Sequence, residues 1–441
     1  MHEPLYTAAE MREAEARHPG YPHSAPELME RAGAAVARET MRAFPRARRF
    51  AVVCGGGSNG GDGRIAARVL REAGRDAVET EELDGADVIV DALFGTGFHG
   101  EPRPDAAALI ERMNASGAPV VAVDIPSGVD GSTGEVATVA VHAALTVTFH
   151  GRKVGLVVAP GRFHAGRVVV ADIGLEPLST HAARATESLL RDVPRRAPHD
   201  SKYTVGRVLV VGGSTGMTGA VCLAAEAALR ADAGYVTVAV PRSVLPVVEM
   251  RLLEPVKFGF EGDTAVEEIL AVESRADAIA IGPGLGRDDS VKRLVREVLE
   301  RSTLPAVVDA DALFGLEPVQ RPAPIVLTPH SGELARLLGE TSADVDAHRL
   351  AAARRAAERF GAVVLLKGAD SIVVGPGRDP VVCDLAPPSL ATAGSGDVLT
   401  GVIAAFLAKG MDAPEAAAAG AVAHGIVIAS DVVAALPQAL T

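Results

Sequence analysis

Phe50-Ala51-Val52-Val53-Cys54 runs directly into Gly55-Gly56-Gly57-Ser58-Asn59-Gly60-Gly61-Asp62-Gly63, and an Ala/Leu/Arg-rich stretch follows. A short β-branched run, a glycine-rich turn and a helix-forming segment, in that order, read as strand, loop and helix. The pattern recurs along the chain. Strands are expected at Phe50–Cys54, Asp87–Val90, Val120–Asp124, Leu145–Phe149 and Val168–Ala171, with helices after Gly63 and after Pro104. Leu28 to Gly33 belongs to an N-terminal helix expected to pack on the sheet. A second series starts at Arg207–Val211 and continues at Val236–Val240, Ala278–Ile281, Ala306–Asp309, Pro324–Leu327 and Val363–Leu366. Alternation of this kind predicts α/β architecture, parallel sheets with helices on both faces.

With 441 residues the chain exceeds what one hydrophobic core supports, so two domains are expected. The polar, proline-bearing, aperiodic stretch from Asp192 to Asp200 is the expected linker. The expected boundaries are 1–191, a linker over 192–205, and 206–441. Aromatics make up 3 % and Trp is absent, so the core must be Val, Leu, Ile and Ala. A net charge of −13 without a long basic run argues against nucleic acid as a partner. The most apolar segment, Ala416 to Leu436, contains His424, Ser430 and Asp431, and is expected to be a buried Ala-rich helix, not a membrane span. No cationic start precedes an apolar stretch, so no signal peptide is expected. Cys54, Cys222 and Cys383 are widely spaced and give neither a disulfide framework nor a metal spacing, which fits a reducing cytoplasm. His142, His150 and His181 likewise have no metal spacing.

Three loops of the first half each follow an expected strand: Cys54 to Gly63, Asp91 to Glu101, and Asp124-Ile125-Pro126-Ser127-Gly128. In an open parallel sheet, loops at the carboxyl ends of strands share one crevice, so their polar groups should converge. The glycine loop matches neither the usual dinucleotide fingerprint nor the Walker pattern. Asn59, Asp91 and Ser127 offer hard oxygens suited to an alkali or alkaline-earth cation, though each could equally cap a helix or a turn. Asp124, ending a strand before a Pro turn, could move protons at a substrate carbon.

The second half carries Gly212 to Ala220, Gly282-Pro283-Gly284-Leu285-Gly286, Asp309 to Leu313, Thr328-Pro329-His330-Ser331-Gly332-Glu333 and Lys367-Gly368-Ala369-Asp370, each after an expected strand. Ala391-Thr392-Ala393-Gly394-Ser395-Gly396-Asp397 turns into an apolar helix, whose free N–H groups and dipole form an anion hole. Asp397, in the first helical turn, can take a proton from a hydroxyl while the hole steadies a phosphoryl group, or can simply complement the dipole. His330 before a helix can be a ligand or only a cap.

The glycine loop, Asp91-Ala92-Leu93-Phe94-Gly95-Thr96-Gly97 and Asp124 to Gly128 together resemble the NAD(P)HX epimerase family over roughly residues 1–190. The glycine-and-aspartate segment resembles the ribokinase-like superfamily, and Gly212 to Ala220, Thr328 to Glu333 and Leu390 to Asp397 resemble its NAD(P)HX dehydratase branch. The resemblance implies a Rossmann-like three-layer sandwich followed by a ribokinase-like three-layer sandwich. It implies epimerisation of hydrated NADH and NADPH, and dehydration of one epimer at the expense of ADP or ATP. In the first half it assigns Ser58, Asn59, Gly60, Gly61, Asp62, Gly95, Thr96, Gly97, Phe98, His99, Gly100, Glu101 and Asp124 to the substrate site, and of these Asp124, a carboxylate at a strand end, is the expected acid/base. It assigns Asn59, Asp91 and Ser127 to K⁺. In the second it assigns Ala220, Gly284, His330 and Asp397 to the hydrated nucleotide, with Asp397 as catalytic base. It assigns Lys367, Gly368, Ala369, Asp370, Ser371 and Gly396 to the adenine nucleotide, which would bring Mg²⁺. The implied partners are small molecules, without nucleic acid or membrane; homo-oligomerisation stays open. The sequence departs from the family pattern at Ser58, where Asn is usual, at Ser331, where Pro is common, and at Asp232, where Gly is common.

Two other readings compete. A true small-molecule kinase acting on a vitamin precursor or sugar would use the same Gly394 to Asp397 segment. The first half could instead be a non-catalytic binding module. The joint presence of Asn59, Asp91, Asp124 and Ser127 speaks against both.

Overall fold

The computed structural model describes residues 2–425. The chain packs as two compact units, one over Pro4–Ala183, the other starting at Arg184 and also taking in Glu3. The division falls ahead of the 192–205 stretch, and Leu189, Leu190 and Val193 are already part of the second unit's core.

In the first unit, strands β2 (Arg49–Cys54), β3 (Asp76–Glu79), β4 (Val88–Ala92), β5 (Val120–Val123), β6 (Leu145–Phe149) and β8 (Arg167–Ala171) form one parallel sheet in the order β3-β2-β4-β5-β6-β8. Two short strands, β1 (His2–Tyr6) and β7 (Arg152–Lys153), pair with each other in parallel, and β9 (Ala183–Ala185) lies at the division between units. Successive residues of the sheet face opposite cores. Val52 and Val90 pack beneath the helices Ala25–Ala43 and Ser58–Glu72, while Ala51, Val53 and Ile89 pack on the other side with Leu109, Ile110 and Met113 of helix Pro104–Ala115. This is the expected three-layer arrangement, and burial on both faces explains why the strands read as unbroken apolar runs.

The glycine loop is shorter than expected. The helix begins at Ser58, not after Gly63, so Asn59 to Asp62 occupy its first turns. Glycine disfavours a helix interior by about 1 kcal/mol per residue, but here contact overrides propensity. A Cβ on Gly60 would lie 1.9 Å from the Gly55 carbonyl oxygen, and one on Gly63 would lie 2.4 Å from Ala92 Cβ. The fifth strand also ends one residue early, because Asp124 adopts φ 66° and turns the chain out of the sheet.

In the second unit, β10 (Arg207–Val211), β11 (Tyr235–Pro241), β12 (Val256–Phe260), β13 (Ala278–Ile281), β14 (Ala306–Val308), β15 (Ile325–Leu327), β16 (Val363–Leu366), β17 (Ser371–Val374) and β18 (Val381–Cys383) run in the order β12-β11-β10-β13-β14-β15-β16-β17-β18. Pairing is parallel up to β16 and antiparallel beyond it. Helix Ser395–Ala408 packs against helix Thr218–Arg230 so closely that a Cβ on Gly401 would lie 2.0 Å from the Ala224 carbonyl oxygen. Helix Ala413–His424 is buried and Ala-rich as expected; the remainder of the segment to Leu436 lies outside the described residues. Among the described residues no helix is long and apolar enough to cross a membrane.

Candidate active sites

In the first unit, β2, β4 and β5 are neighbours in register, with Cys54 opposite Ala92 and Asp91 opposite Ala122. The three expected loops therefore leave one rim side by side. Asp124 is the most heavily bonded group there. Its Oδ2 accepts the Thr96 N–H at 3.1 Å and the Thr96 hydroxyl, and its Oδ1 accepts the Thr148 hydroxyl at 3.0 Å. The same Oδ1 lies 2.8 Å from Lys153 Nζ, an ammonium whose side chain is 1 % exposed. Burial alone would push the Asp124 carboxyl up, but the charge and hydrogen bond of Lys153, with Thr96 and Thr148, outweigh it and hold Asp124 below the usual carboxylate range. Asp62, buried in the first turns of its helix, has no such cation. Burial, then the charges of Asp124 and Glu15, push its carboxyl up to about 8 against the opposing pull of Lys153. Glu15, on helix Ala8–Arg17, is also raised, by burial first and Asp124 second. Neither Lys153, Thr148 nor Glu15 was singled out by sequence. The available signal was a lysine, next to Arg152, standing immediately before the apolar run over residues 154–159.

The proposed cation ligands are tied together. Ser127 gives its N–H to Asp91 Oδ2 at 2.8 Å and its hydroxyl to Asp91 Oδ1 at 2.6 Å, and accepts the Phe94 N–H at 2.9 Å. The Asn59 amide donates to the Phe94 carbonyl at 2.8 Å, leaving its Oδ1 beside Gly95, where a Cβ would lie 3.1 Å away. Asp91 is fully buried and, among the described residues, faces no cationic side chain. Burial lifts its carboxyl to about 6 despite the Ser127 and Leu93 donors. Asp91 is met by the Ser127 N–H and hydroxyl and the Leu93 N–H and by no lysine or arginine, so its carboxylate, with the Ser127 hydroxyl and the Asn59 amide oxygen, offers hard oxygens that suit a cation. Of the remaining loop residues, Gly95 and Thr96 line the rim, Phe98 stacks on Phe94 with centroids 4.8 Å apart, and Gly97, His99, Gly100 and Glu101 are exposed, as is Ser58.

In the second unit, Gly394 (φ 87°) caps helix Ser395–Ala408, and Asp397 lies in its first turn as expected. Around it converge groups from three other elements. Lys367 Nζ lies 2.8 Å from Asp309 Oδ1 and 3.8 Å from Glu333 Oε2, and Thr400 donates to Asp309 Oδ2 at 2.7 Å. Gly396 leaves room for the pair: a Cβ there would meet Lys367 Nζ at 3.3 Å. Asp397 itself is pushed up to about 7, by burial first and Asp309 next, with Lys367 opposing and Asp311 and Glu333 adding. Asp309 and Glu333 stood in quoted motifs without a role; their placement assigns one to their charge.

Gly284 (φ 65°) and Ala220 meet, since a Cβ on the former would lie 3.2 Å from that of the latter. His330 is the N-cap of helix Ser331–Leu338, its Nδ1 accepting the Gly332 N–H at 3.0 Å, while its side chain stays largely exposed. Within Lys367–Ser371, a connection between two antiparallel strands, Asp370 turns inward to Arg349 Nε at 3.0 Å and Ser371 closes on Gly368. The departures from the family pattern are absorbed locally. Ser331 bonds Asp346 and Arg349, and Asp232 holds φ 71° while bonding Lys409 Nζ at 2.9 Å.

Two family models match the chain, one described as NAD(P)H-hydrate dehydratase over residues 208–438, the other as YjeF-related protein N-terminus over residues 25–80 and 75–155. The bifunctional NAD(P)H-hydrate repair enzyme of Moorella thermoacetica is 39 % identical, over 90 % of this chain and 86 % of its own. The enzyme of the same name from Escherichia coli is 35 % identical, over 93 % and 85 %. A crystal structure of an ADP/ATP-dependent NAD(P)H-hydrate dehydratase from Bacillus subtilis, co-crystallised with ATP/Mg²⁺, superposes with a TM-score of 0.51 at 28 % identity, covering 58 % of this chain and 96 % of that one.

Proposed function

This chain belongs to the bifunctional NAD(P)H-hydrate repair enzymes, and from that premise we propose how its two rims divide the work. Hydration of a dihydronicotinamide adds water across an enamine, so the hydroxyl sits on the carbon beside the ring nitrogen. Inverting that carbon requires the C–O bond to break with a proton delivered to the departing oxygen, the ring nitrogen lending its lone pair. Water then adds to the opposite face and gives up a proton. One proton is supplied and one removed. In the first unit Asp124, ionised, takes the proton, and Asp62, whose carboxyl titrates at about 8, can supply one. Ser58 to Asp62 and Gly95 to Glu101 hold the substrate. Asn59, Asp91 and Ser127 would hold K⁺, which supplies fixed positive charge at the rim when bound.

In the second unit the hydroxyl is made a better leaving group by phosphorylation. Asp397 accepts the hydroxyl proton, and the N–H groups and dipole at the start of helix Ser395–Ala408 steady the transferring phosphoryl group of ADP or ATP. The phosphate leaves, a ring proton follows, and the double bond returns. Ala220, Gly284 and His330 hold the hydrated nucleotide; Lys367–Ser371 and Gly396 hold the adenine nucleotide. Among the described residues no three acidic, His or Cys side chains converge as a ready-made metal site. Mg²⁺ would therefore arrive with the nucleotide phosphates and lean on one or two carboxylates.

The observation that carries this reading is that one chain builds two separate acid/base rims, with Asp124 at the end of β5 held 2.8 Å from Lys153 Nζ, and Asp397 in the first turn of helix Ser395–Ala408 beside the Lys367–Asp309 pair and displaced upward. The test is to supply hydrated NADH of mixed epimers with ADP or ATP and follow the return of NADH absorbance. Complete recovery is expected. Recovery of one epimer alone would leave the first unit without the proposed activity, and no recovery with turnover of ATP on a vitamin precursor would favour a kinase.

A further inference from the structure

Lys153 is a lysine with nowhere to go. Its side chain is sealed from solvent, and its ammonium is met by Asp124 Oδ1 at 2.8 Å, Thr148 Oγ1 at 2.9 Å, the Phe149 carbonyl at 2.7 Å and the Gly151 carbonyl at 3.3 Å. Burying an ammonium costs several kcal/mol unless its partners are placed well, and these four oxygens come from one short stretch and one carboxylate. The stretch is β6 and its turn, where Thr148 both accepts from Lys153 and donates to Asp124. Asp124 is held from the opposite side by Thr96. Its backbone sits at φ 66°, a left-handed conformation that L-residues adopt at a cost. A side chain thus clamped from both sides keeps one orientation on a backbone that would otherwise relax.

We infer that Lys153 is the positioning residue of the epimerase site: its buried ammonium fixes the direction of the Asp124 carboxylate and keeps it charged, so that Asp124 can accept a proton while its neighbours hold theirs. The inference rests on the reading of Asp124 as the proton acceptor. The titratable groups coupled to this pair are Asp62 from helix Ser58–Glu72, Glu15 from helix Ala8–Arg17, itself influenced by the exposed Arg12, and His150 on the turn after β6. Two of the three carboxyls are raised and only the one that receives the ammonium is lowered. Without Lys153, the upward push of burial on Asp124 would be opposed only by the Thr96 and Thr148 hydrogen bonds.

The test is Lys153→Met in the full chain, with both activities measured on the same sample. Expected are dehydratase turnover unchanged, epimerase kcat down by on the order of 10²-fold with KM little altered, and the acid limb of the epimerase profile moved up by about 1–3 pH units. An acid limb that stays in place in the folded variant overturns the inference. Asp124→Asn separates the two failures. If it leaves epimerisation intact, the reading of Asp124 is wrong. If it abolishes epimerisation while the Lys153→Met profile matches the unaltered protein, only the role of Lys153 is wrong. Should Lys153→Met not fold, the Asp124 carboxyl carbon, followed by NMR in the unaltered protein, decides. Ionisation below the range of a free Asp supports the inference, and titration at or above it overturns it.

Discussion

Asp309→Asn should move the acid limb of the dehydratase to lower pH. The Asp397 carboxyl is held at about 7 by burial first and by the charge of Asp309 second, with Lys367 pulling the other way. A general base works only when ionised, so kcat/KM should fall about tenfold for each pH unit below that value. Replacing Asp309 by Asn removes one raising influence. It also releases the Lys367 ammonium, now engaged at 2.8 Å by the carboxylate, and so strengthens the lowering influence. Both changes act in the same direction. A neighbouring like charge moves a carboxyl by on the order of 1 pH unit or more, equivalent to about 1.4 kcal/mol. The limb should therefore descend by about 1 unit, and turnover below pH about 6 should rise relative to its own plateau even if the plateau drops. The assay is the initial rate of NADH return from hydrated NADH and ATP, at constant ionic strength across the pH range, with the thermal unfolding of the second unit as a folding control. A limb that stays or climbs in a folded variant refutes the placement of Asp397 as a base governed by Asp309.

Asp397→Asn should cost dehydration ~10²–10⁴-fold and spare epimerisation, and Asp124→Asn should do the reverse; loss of both activities from either change, in a folded protein, would contradict two separate rims. Exchanging K⁺ for Li⁺ should depress epimerisation and the thermal stability of the first unit, and Asp91→Asn should abolish the difference between the two ions, read by differential scanning. Gly60→Ala should destabilise the first unit by about 1–3 kcal/mol, because its Cβ would fall 1.9 Å from the Gly55 carbonyl oxygen; urea unfolding measures it. Asp232→Gly should relieve roughly 1 kcal/mol of left-handed strain yet leave the Lys409 ammonium with only the Pro194 carbonyl, for a net loss of about 1 kcal/mol by the same measurement.

The parallel strands were legible because burial on both faces leaves apolar runs that periodicity detects, and β6, β10 and β13 fall where they were expected. Short edge strands were not: Asp76–Glu79 is mostly exposed and polar, and Val256–Phe260 carries Lys257 and Gly259. The start of the helix at Ser58 was hidden for a different reason. Its glycines satisfy contacts made by residues far along the chain, Ala92 among them, and no local rule encodes that. At the rims, sequence located the carboxylates, since Asp124 ends a strand before a proline turn and Asp397 opens a helix after a glycine turn. It did not locate what sets their protonation. Lys153 comes from β7, 29 residues after Asp124, and the pairing of Lys367 with Asp309 spans 58 residues. His330 could be read either way, and its ring turns out to cap its helix.

The two rims use the same parts in opposite connection. Each has one lysine ammonium among several carboxyls, and in each the carboxyl that receives the ammonium is not the one that is raised. In the first unit Lys153 goes to Asp124, and Asp62 is left near 8. In the second Lys367 goes to Asp309, and Asp397 is left near 7. Reversible inversion needs a proton donor and a proton acceptor present together, which a paired and an unpaired carboxyl provide. Phosphoryl transfer needs a base that can take a hydroxyl proton at neutral pH and not be neutralised by a permanent partner. Placing the lysine on Asp309 leaves Asp397 free for that task while keeping positive charge within reach of an incoming phosphate. On the proposed roles, the assignment of each ammonium, more than the presence of any one aspartate, sets which carboxyl of a rim is available to move a proton.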